Sequence, residues 1–303
     1  MLRIKLDDEK VTGLKRAQQR RKKQLMTLRI AEIMLLILIC GAIWLGIRHF
    51  TQPKVTKMIT ITAPALIIRQ APNSSKAVAT VKSGTEVGYL STKNGWDKVS
   101  YNGKVGWLPT WLIKSTYDAT KATNRLAEQT IVIDAGHGGV DSGALANNGN
   151  YEKKYTLQMA LALKNQLASS HARVIMTRSG NQTVALASRP KLANKRGASL
   201  FISFHFDSTP VANTASGFTT YYYHKASKSL ARTLSQSLNS LTLDNRGIDY
   251  GNFQVIRDST MPAVLLEMGY INDYTDYQYI SSSSYQQQVA QLVYKGLENY
   301  TTN

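Results

Sequence analysis

The sequence predicts an α/β protein: a mostly parallel sheet flanked by helices, preceded by a small all-β barrel and one N-terminal transmembrane helix. Three observations carry this prediction. Residues 33–47 hold no charge; residues 58–113 form short alternating runs cut by turn signals; and from residue 130 onward buried-strand runs alternate with helical patterns. At 303 residues, with 43% hydrophobic and 18% charged content, the chain can bury a full core. Its single cysteine, Cys40, lies in the apolar run, which excludes a disulfide framework or a cysteine-based metal site. A metal, if held, must be held by histidines and carboxylates.

The net charge of +18 is unevenly spread, because residues 1–30 contain ten Lys or Arg against Asp7, Asp8 and Glu9. Extending the apolar run to Ile30 and Phe50 gives a segment of about 30 Å at about 1.5 Å per residue, enough to cross a bilayer. The basic stretch before it places residues 1–29 in the cytoplasm and everything after Phe50 outside. The stretch RHFTQPKVTKM that follows lacks a small-x-small cleavage site, so 30–50 reads as an uncleaved signal anchor. With that topology the basic remainder faces anionic wall polymers, and nucleic acid is not an expected partner.

Residues 58–114 read as a barrel of five or six strands, with NSS, KSG, KNG and YNG at hairpin spacing and three of the four tryptophans, Trp96, Trp107 and Trp111. The stretches IIRQAPNSSKAVATVKSGTEV and NGWDKVSYNGKVGWLPTWLI resemble a bacterial SH3-type domain. Ile67 and Ala71 depart from that pattern. The resemblance implies either wall binding or a structural spacer, and tryptophans in so small a barrel also serve as packing. Residues 115–129 are polar and aperiodic, and read as a linker.

In residues 130–303 the strand run TIVIDA precedes a helical pattern from Glu152, ARVIMTR precedes ASRPKLANKRG, SLFISFH precedes a loop and SKSLARTLSQSLNSL, and AVLLEMG precedes SYQQQVAQLVYKGLENY. Such sheets bind ligands beyond the carboxyl ends of their strands. There His137 follows IVIDAG, His205 follows LFISF, and Glu267 closes AVLL. Two imidazoles do not complete a catalytic zinc site, which takes three protein ligands and leaves one position open. Glu152 supplies a carboxylate fifteen residues after His137, at a helix start where the glycines of GGVDSGALANNGN let the chain fold back. His49, His171 and His224 end no buried strand and read as surface residues. Asp134 and Asp207 could orient the imidazoles or simply cap strand ends.

The stretches VIDAGHGGVDSGA, YEKKYTL, VIMTR, LASRPKLANKRGASLFISFHFDS and NRGIDYGNFQVIRDSTMPAVLLEMGYINDYTD resemble the zinc-dependent N-acetylmuramoyl-L-alanine amidases of bacteria. The resemblance spans nearly all of residues 130–298. It implies zinc on His137, Glu152 and His205, with Glu267 as the catalytic carboxylate and Arg189 and Asn194 supporting the site. Asn181, Phe204 and Phe206 depart from the pattern and touch the shape of the cleft. The implied substrate is peptidoglycan, cut between N-acetylmuramic acid and the L-alanine of the stem peptide. The topology read from the basic N-terminus sets the catalytic domain on the wall side of the cell membrane, where a membrane-protein regulator could act through residues 30–50. A zinc peptidase acting within the stem peptide and a non-catalytic wall-binding scaffold are the alternatives.

Overall fold

The computed structural model describes residues 2–50 and 54–302, and the side chains of 14–44 and 54–302. The chain divides into two compact units, Met1–Lys54 and Val55–Asn303. The first is one continuous helix, α1 (Leu2–Phe50). Within it Leu14–Trp44 is long and apolar enough to cross a membrane. Consecutive apolar residues such as Leu35, Leu36, Ile37 and Leu38 are all exposed, so the apolar surface runs round the whole helix instead of forming one stripe. The basic segment and the expected span at 30–50 are thus parts of the same helix. The side chains of Arg48, His49 and Phe50 lie outside the described residues, as do residues 51–53.

The second unit begins with six antiparallel strands: β1 (Lys57–Thr60), β2 (Ala65–Arg69), β3 (Ala77–Lys82), β4 (Glu86–Lys93), β5 (Trp96–Tyr101) and β6 (Lys104–Pro109), in the order β1-β4-β5-β6-β2-β3. The turns join these strands because their residues reach positive φ. Asn94-Gly95 stands at +54° and +86°, and Asn102-Gly103 at +48° and +72°, the backbone of two-residue hairpins matched to the strand twist. Ile61, Leu66, Ile68, Val87, Val99 and Leu108 fill the interior.

The segment at 115–129, which reads as a linker, is a strap fixed at both ends. The amide of Ala119 donates to the carbonyl of Ala65, and Leu126, Ala127 and Glu128 are buried. Glu128 takes a bidentate pair from Arg69 of the barrel at 2.8 and 2.7 Å. Trp111 Nε1 donates to the carbonyl of Ala127 at 3.0 Å. From the following sheet, Arg173 Nη1 reaches the carbonyl of Asn94 at 2.8 Å. The polar composition of the strap therefore reflects ion pairing and hydrogen bonding across a seam.

The second sheet holds β7 (Thr130–Ala135), β8 (Arg173–Met176), β9 (Leu200–Asp207), β10 (Phe218–Tyr222), β11 (Asn245–Tyr250) and β12 (Ala263–Tyr270), in the order β11-β10-β12-β9-β7-β8. Strands β8, β7, β9 and β12 run parallel, while β10 pairs antiparallel with β12 and carries β11 at the far edge. The sheet is thus mostly parallel. Two of its strands escape the sequence reading: β10 falls in the stretch read as a loop between SLFISFH and the next helix, and β11 between that helix and AVLLEMG. FTTYY in β10 is a short β-branched and aromatic run, and NRGIDY in β11 is a half-exposed edge with no apolar pattern.

Helices cover both faces. On one lie α2 (Glu152–Gln166), α4 (Lys228–Ser237) and α7 (Ser283–Thr301), packed on Ile131, Ile133, Ile202, Phe204, Leu266 and Met268. On the other lie α3 (Ser188–Arg196) and α5 (Gln254–Arg257), packed on Val132, Phe201, Ala263 and Leu265. Neighbouring residues of each strand point to opposite faces, and both faces are apolar, as a doubly covered sheet requires. The short α6 (Tyr274–Ile280) is capped by Asp273, whose side chain accepts from the amides of Thr275 and Asp276.

Candidate metal centre and catalytic cleft

The centre sits where β7, β9 and β12 end. Beyond β7 the chain turns at Gly136 and enters His137, whose φ of +60° is left-handed and costly for a side chain with a Cβ. Two buried arginines hold that backbone. Arg178 donates to the carbonyls of Ala135 and Gly136 at 2.9 and 2.7 Å, and Arg189 to those of Ala135 and His137, each at 2.7 Å. Glycine is required at two places here by close approach. A Cβ at Gly136 would lie 2.3 Å from the His205 ring, and one at Gly143 would lie 2.6 Å from Glu152 Oε2.

Glu152, at the first turn of α2, points back under this loop and is buried. Its Oε2 accepts from the amide of Ala144 at 2.9 Å and faces His137 Nε2 at 3.0 Å. Its Oε1 accepts from the amide of Phe206 at 3.0 Å and faces His205 Nδ1 at 3.0 Å. One ligand atom from each of His137, Glu152 and His205 lies within 4.8 Å of the others. Four ligands around a tetrahedral zinc at about 2.0–2.1 Å stand about 3.3 Å apart, so the three need only small adjustments to share an ion.

The donor chemistry also fits a cation. His137 Nδ1 faces Asp141 Oδ1 at 2.9 Å while Nε2 faces Glu152, so both ring nitrogens meet carboxylates that can only accept. Either two protons or one proton and a metal ion satisfy such a ring. Burial pulls the imidazole pKa down, but the bonds and charges of Glu152 and Asp141 outweigh it and hold it above the ordinary value. For Glu152 burial works upward, yet the two histidines dominate and hold its carboxyl well below the usual range.

Glu267, on β12, is the register partner of His205 on β9. Its Oε2 is shut off from solvent and accepts no hydrogen bond. Burial first, then the charges of Glu152 and Asp207, push its carboxyl well above the usual range. A cleft of about 300 Å³ opens over these residues, lined by Glu267, Glu152, His137 and His205 and by the apolar Leu186, Phe253 and Val255. The four residues singled out in the sequence thus converge on one cleft.

Other expectations resolve differently. Asp134 orients neither imidazole: it accepts from Thr177, Arg189 and Ser203 at 2.6, 2.8 and 2.7 Å, locking β7, β9 and α3 together. Asp207 accepts the amide of Ser208. Asn194 stands away from the centre, where it donates to the carbonyl of Asp258 and accepts from Thr260. The acid that does hold an imidazole is Asp141, four residues beyond His137, which the sequence reading passes over. Arg178 is likewise missed as a structural residue. His171 and His224 lie outside the cleft.

The N-acetylmuramoyl-L-alanine amidase family profile matches residues 131–299, and that of the bacterial SH3 domain residues 64–114. Probable cell wall amidase LytH of Staphylococcus epidermidis is 36% identical over 253 residues, covering 81% of this chain and 84% of that protein. LytH of Staphylococcus aureus is 36% identical over 250 residues, covering 80% and 84%. Among solved structures, the catalytic domain of the amidase CwlV from Bacillus (Paenibacillus) polymyxa var. colistinus matches with a TM-score of 0.55 at 39% identity, covering 57% of this chain and 97% of that one. The CwlD amidase of Clostridioides difficile, solved in complex with the GerS lipoprotein, matches with a TM-score of 0.54 at 26% identity, covering 57% and 98%. The chain belongs to the N-acetylmuramoyl-L-alanine amidases, carries a bacterial SH3 domain, and is a cell-wall amidase.

Proposed function

We propose that the enzyme cuts the amide between N-acetylmuramic acid and L-alanine with zinc held by His137, Glu152 and His205, and with Glu267 as general base and then acid. The observation that carries this reading is the carboxylate of Glu267, with no protein partner at its shielded Oε2, lining the same cleft as a convergent His-Glu-His set. The chemistry an ion supplies there is Lewis-acid polarisation of the lactyl carbonyl and acidification of water. Glu267 takes the proton of the attacking water as the new C–O bond forms. It delivers that proton to the alanine nitrogen as the C–N bond breaks, leaving a muramyl carboxylate and a free peptide N-terminus. Leu186, Phe253 and Val255 give the cleft apolar surface, which suits the methyl groups of the lactyl and alanyl units.

The basic N-terminus and the apolar surface that runs round α1 support a single-pass anchor with its N-terminus in the cytoplasm and the catalytic domain at the wall. In that setting peptidoglycan is the substrate, anionic wall polymers suit the basic ectodomain, and a membrane-protein regulator would act through α1. Digestion of purified peptidoglycan tests the chemistry. Release of intact stem peptides, lost on chelation and restored by zinc, is the expected result. Shortened peptides would identify a peptidase, and no release a scaffold.

A further inference from the structure

The sheet face that carries His205 and Glu267 continues across β10. Thr219 is the register partner of Glu267 and Tyr221 that of Leu265, so Tyr221 stands diagonally beside Glu267 on the same face, about 7–8 Å away between backbones. Tyr223 follows two residues on. Both tyrosines are half-buried against the core to which α5 contributes Val255 and Ile256.

The turn that leaves β11 lays two further rings on them. Phe253 meets Tyr221 edge-on, with ring centroids 5.1 Å apart at 70°, and Tyr250 meets Tyr223 at 5.3 Å and 33°. The backbone is shaped for these contacts. Gly251 is buried, its amide donates to the carbonyl of Tyr222 at 3.0 Å, and a Cβ there would lie 2.5 Å from the Phe253 ring and 3.0 Å from that of Tyr221. Asn252 Oδ1 accepts from Arg257 Nη1 at 3.1 Å, which ties the turn to the end of α5. Yet the two outer rings stay open to solvent, Tyr250 at 56% and Phe253 at 39% exposure. A ring propped by a partner and left wet is a preformed contact surface, because little freedom remains to be lost on binding.

Phe253 belongs to two surfaces at once, since it lines the zinc cleft and stands on Tyr221. A ligand on these rings is therefore continuous with one in the cleft. Burial, then Asp207, Glu267, Tyr270 and Asp249, hold the Tyr221 phenol above its ordinary value, so the charges that face the inner ring are acids. At the outer end Arg257 is paired with Asp258. Such a surface disfavours an anionic polymer and suits a neutral one.

We propose that Phe253 and Tyr250 form a glycan subsite, on which the N-acetylated sugar chain of peptidoglycan runs from the zinc cleft across Phe253 to Tyr250. This rests on the wall-amidase reading above. A pyranose presents an apolar C–H face that lies flat on an aromatic ring, and hydroxyl and acetamido groups at its edge. Asp249, the register partner of Tyr221, and Asn252 are exposed beside the rings to receive those edges. With the lactyl carboxyl tied up as an amide, the uncut chain is neutral, as the acids around Tyr221 require. The subsite gives the enzyme a preference for amides on a glycan strand over those on a lone muramyl peptide.

Two measurements on the full-length protein in detergent test this. The first is calorimetric titration with the N-acetylglucosamine tetramer, a neutral glycan without stem peptide or lactyl group, with and without a chelator. The tetramer should bind in both conditions. Tyr250→Phe, which keeps the ring, should bind like the wild type, and Tyr250→Ala about 3–10-fold more weakly, the worth of one ring contact. The second is hydrolysis of a muramyl peptide and of the same peptide carried on a disaccharide and on a tetrasaccharide. The wild-type kcat/KM should rise with sugar number, and Tyr250→Ala should lose about 3–10-fold on the tetrasaccharide while cutting the muramyl peptide as the wild type does. Because binding is read without turnover, failure of the amide chemistry and failure of the subsite are separate results. The proposal is overturned by no binding of the tetramer, by equal binding in Tyr250→Ala, or by as large a loss in Tyr250→Phe. It is equally overturned by tighter binding of polyglycerol phosphate that depends on Tyr250, by a kcat/KM independent of sugar number, or by an equal loss on all three substrates, which would make Tyr250 a residue of the fold.

Discussion

The catalytic rim and the barrel seam both bury charge, and they do so in opposite ways. At the seam Arg69 and Glu128 meet in a bidentate pair with side chains only 6% and 4% exposed, each satisfying the other. At the rim Glu152 is surrounded by donors while Glu267, beside it, is left bare and Asp141 and Asp207 add further negative charge. The first arrangement is complete within the protein. The second is complete only with a cation and a proton, which is how a site differs from a structural ion pair.

The sharpest way to break this comparison is Glu267→Gln. The amide matches the carboxylate in size and removes the repulsion from Glu152, so fold and zinc content should hold. Turnover of peptidoglycan should fall about 10²–10⁴-fold, the range of general acid–base catalysis. Zinc bound per protein and rate are both read on the purified variant. Retained turnover would remove Glu267 from the mechanism.

The seam should respond in stability instead. Glu128→Ala leaves Arg69 buried without its counter-ion, a change that costs about 3–5 kcal/mol. Replacing both partners with apolar residues of similar volume, Arg69→Met with Glu128→Leu, should recover most of that loss. Denaturant melts of the two variants decide it, with activity per folded molecule unchanged in both. A single variant as stable as the double would show that the pair contributes nothing to the seam.

A smaller effect is expected from Asp141→Ala, which removes the acceptor holding His137 Nδ1 and leaves the ring free to turn. Outer-sphere partners of metal-bound histidines are worth about 10–100-fold in affinity, and Asp141, with its side chain 58% exposed, belongs at the lower end. Competition with a chromogenic chelator should show zinc affinity about tenfold weaker, independent of substrate.

The contrast also governs what could be read from sequence. His137, His205 and Glu267 stand out because each ends a buried apolar run, where a polar residue needs a reason. Glu152 becomes visible once a carboxylate is sought near His137. Asp141 carries no such mark: it is one acid in a glycine-rich loop, and Asp134 lies closer to the histidine in sequence. Only the left-handed turn at His137 brings Asp141 to the ring and leaves Asp134 below with Arg189. The seam is harder still, since Arg69 and Glu128 are 59 residues apart and a strap of polar residues has the composition of a free linker. In the sheet, β11 is missed because an edge strand needs no apolar face.

The smallest effect separates packing at the seam from chemistry at the rim. Trp111 stands edge-on to Trp96 at 5.9 Å, with the Arg173 guanidinium 5.9 Å from its ring, and its Nε1 serves the buried carbonyl of Ala127. Trp111→Phe keeps an aromatic ring and deletes the donor, which should cost about 1–2 kcal/mol for the carbonyl left unsatisfied. For a folded unit of this size that is a fall in Tm of about 2–8 °C. Hydrolysis measured below the transition should be unchanged, because the seam adjoins the amino ends of the strands and the cleft their carboxyl ends. A loss of kcat/KM at full folding would mean that the barrel's placement reaches the zinc site, and the division between a structural end and a chemical end of this sheet would fail.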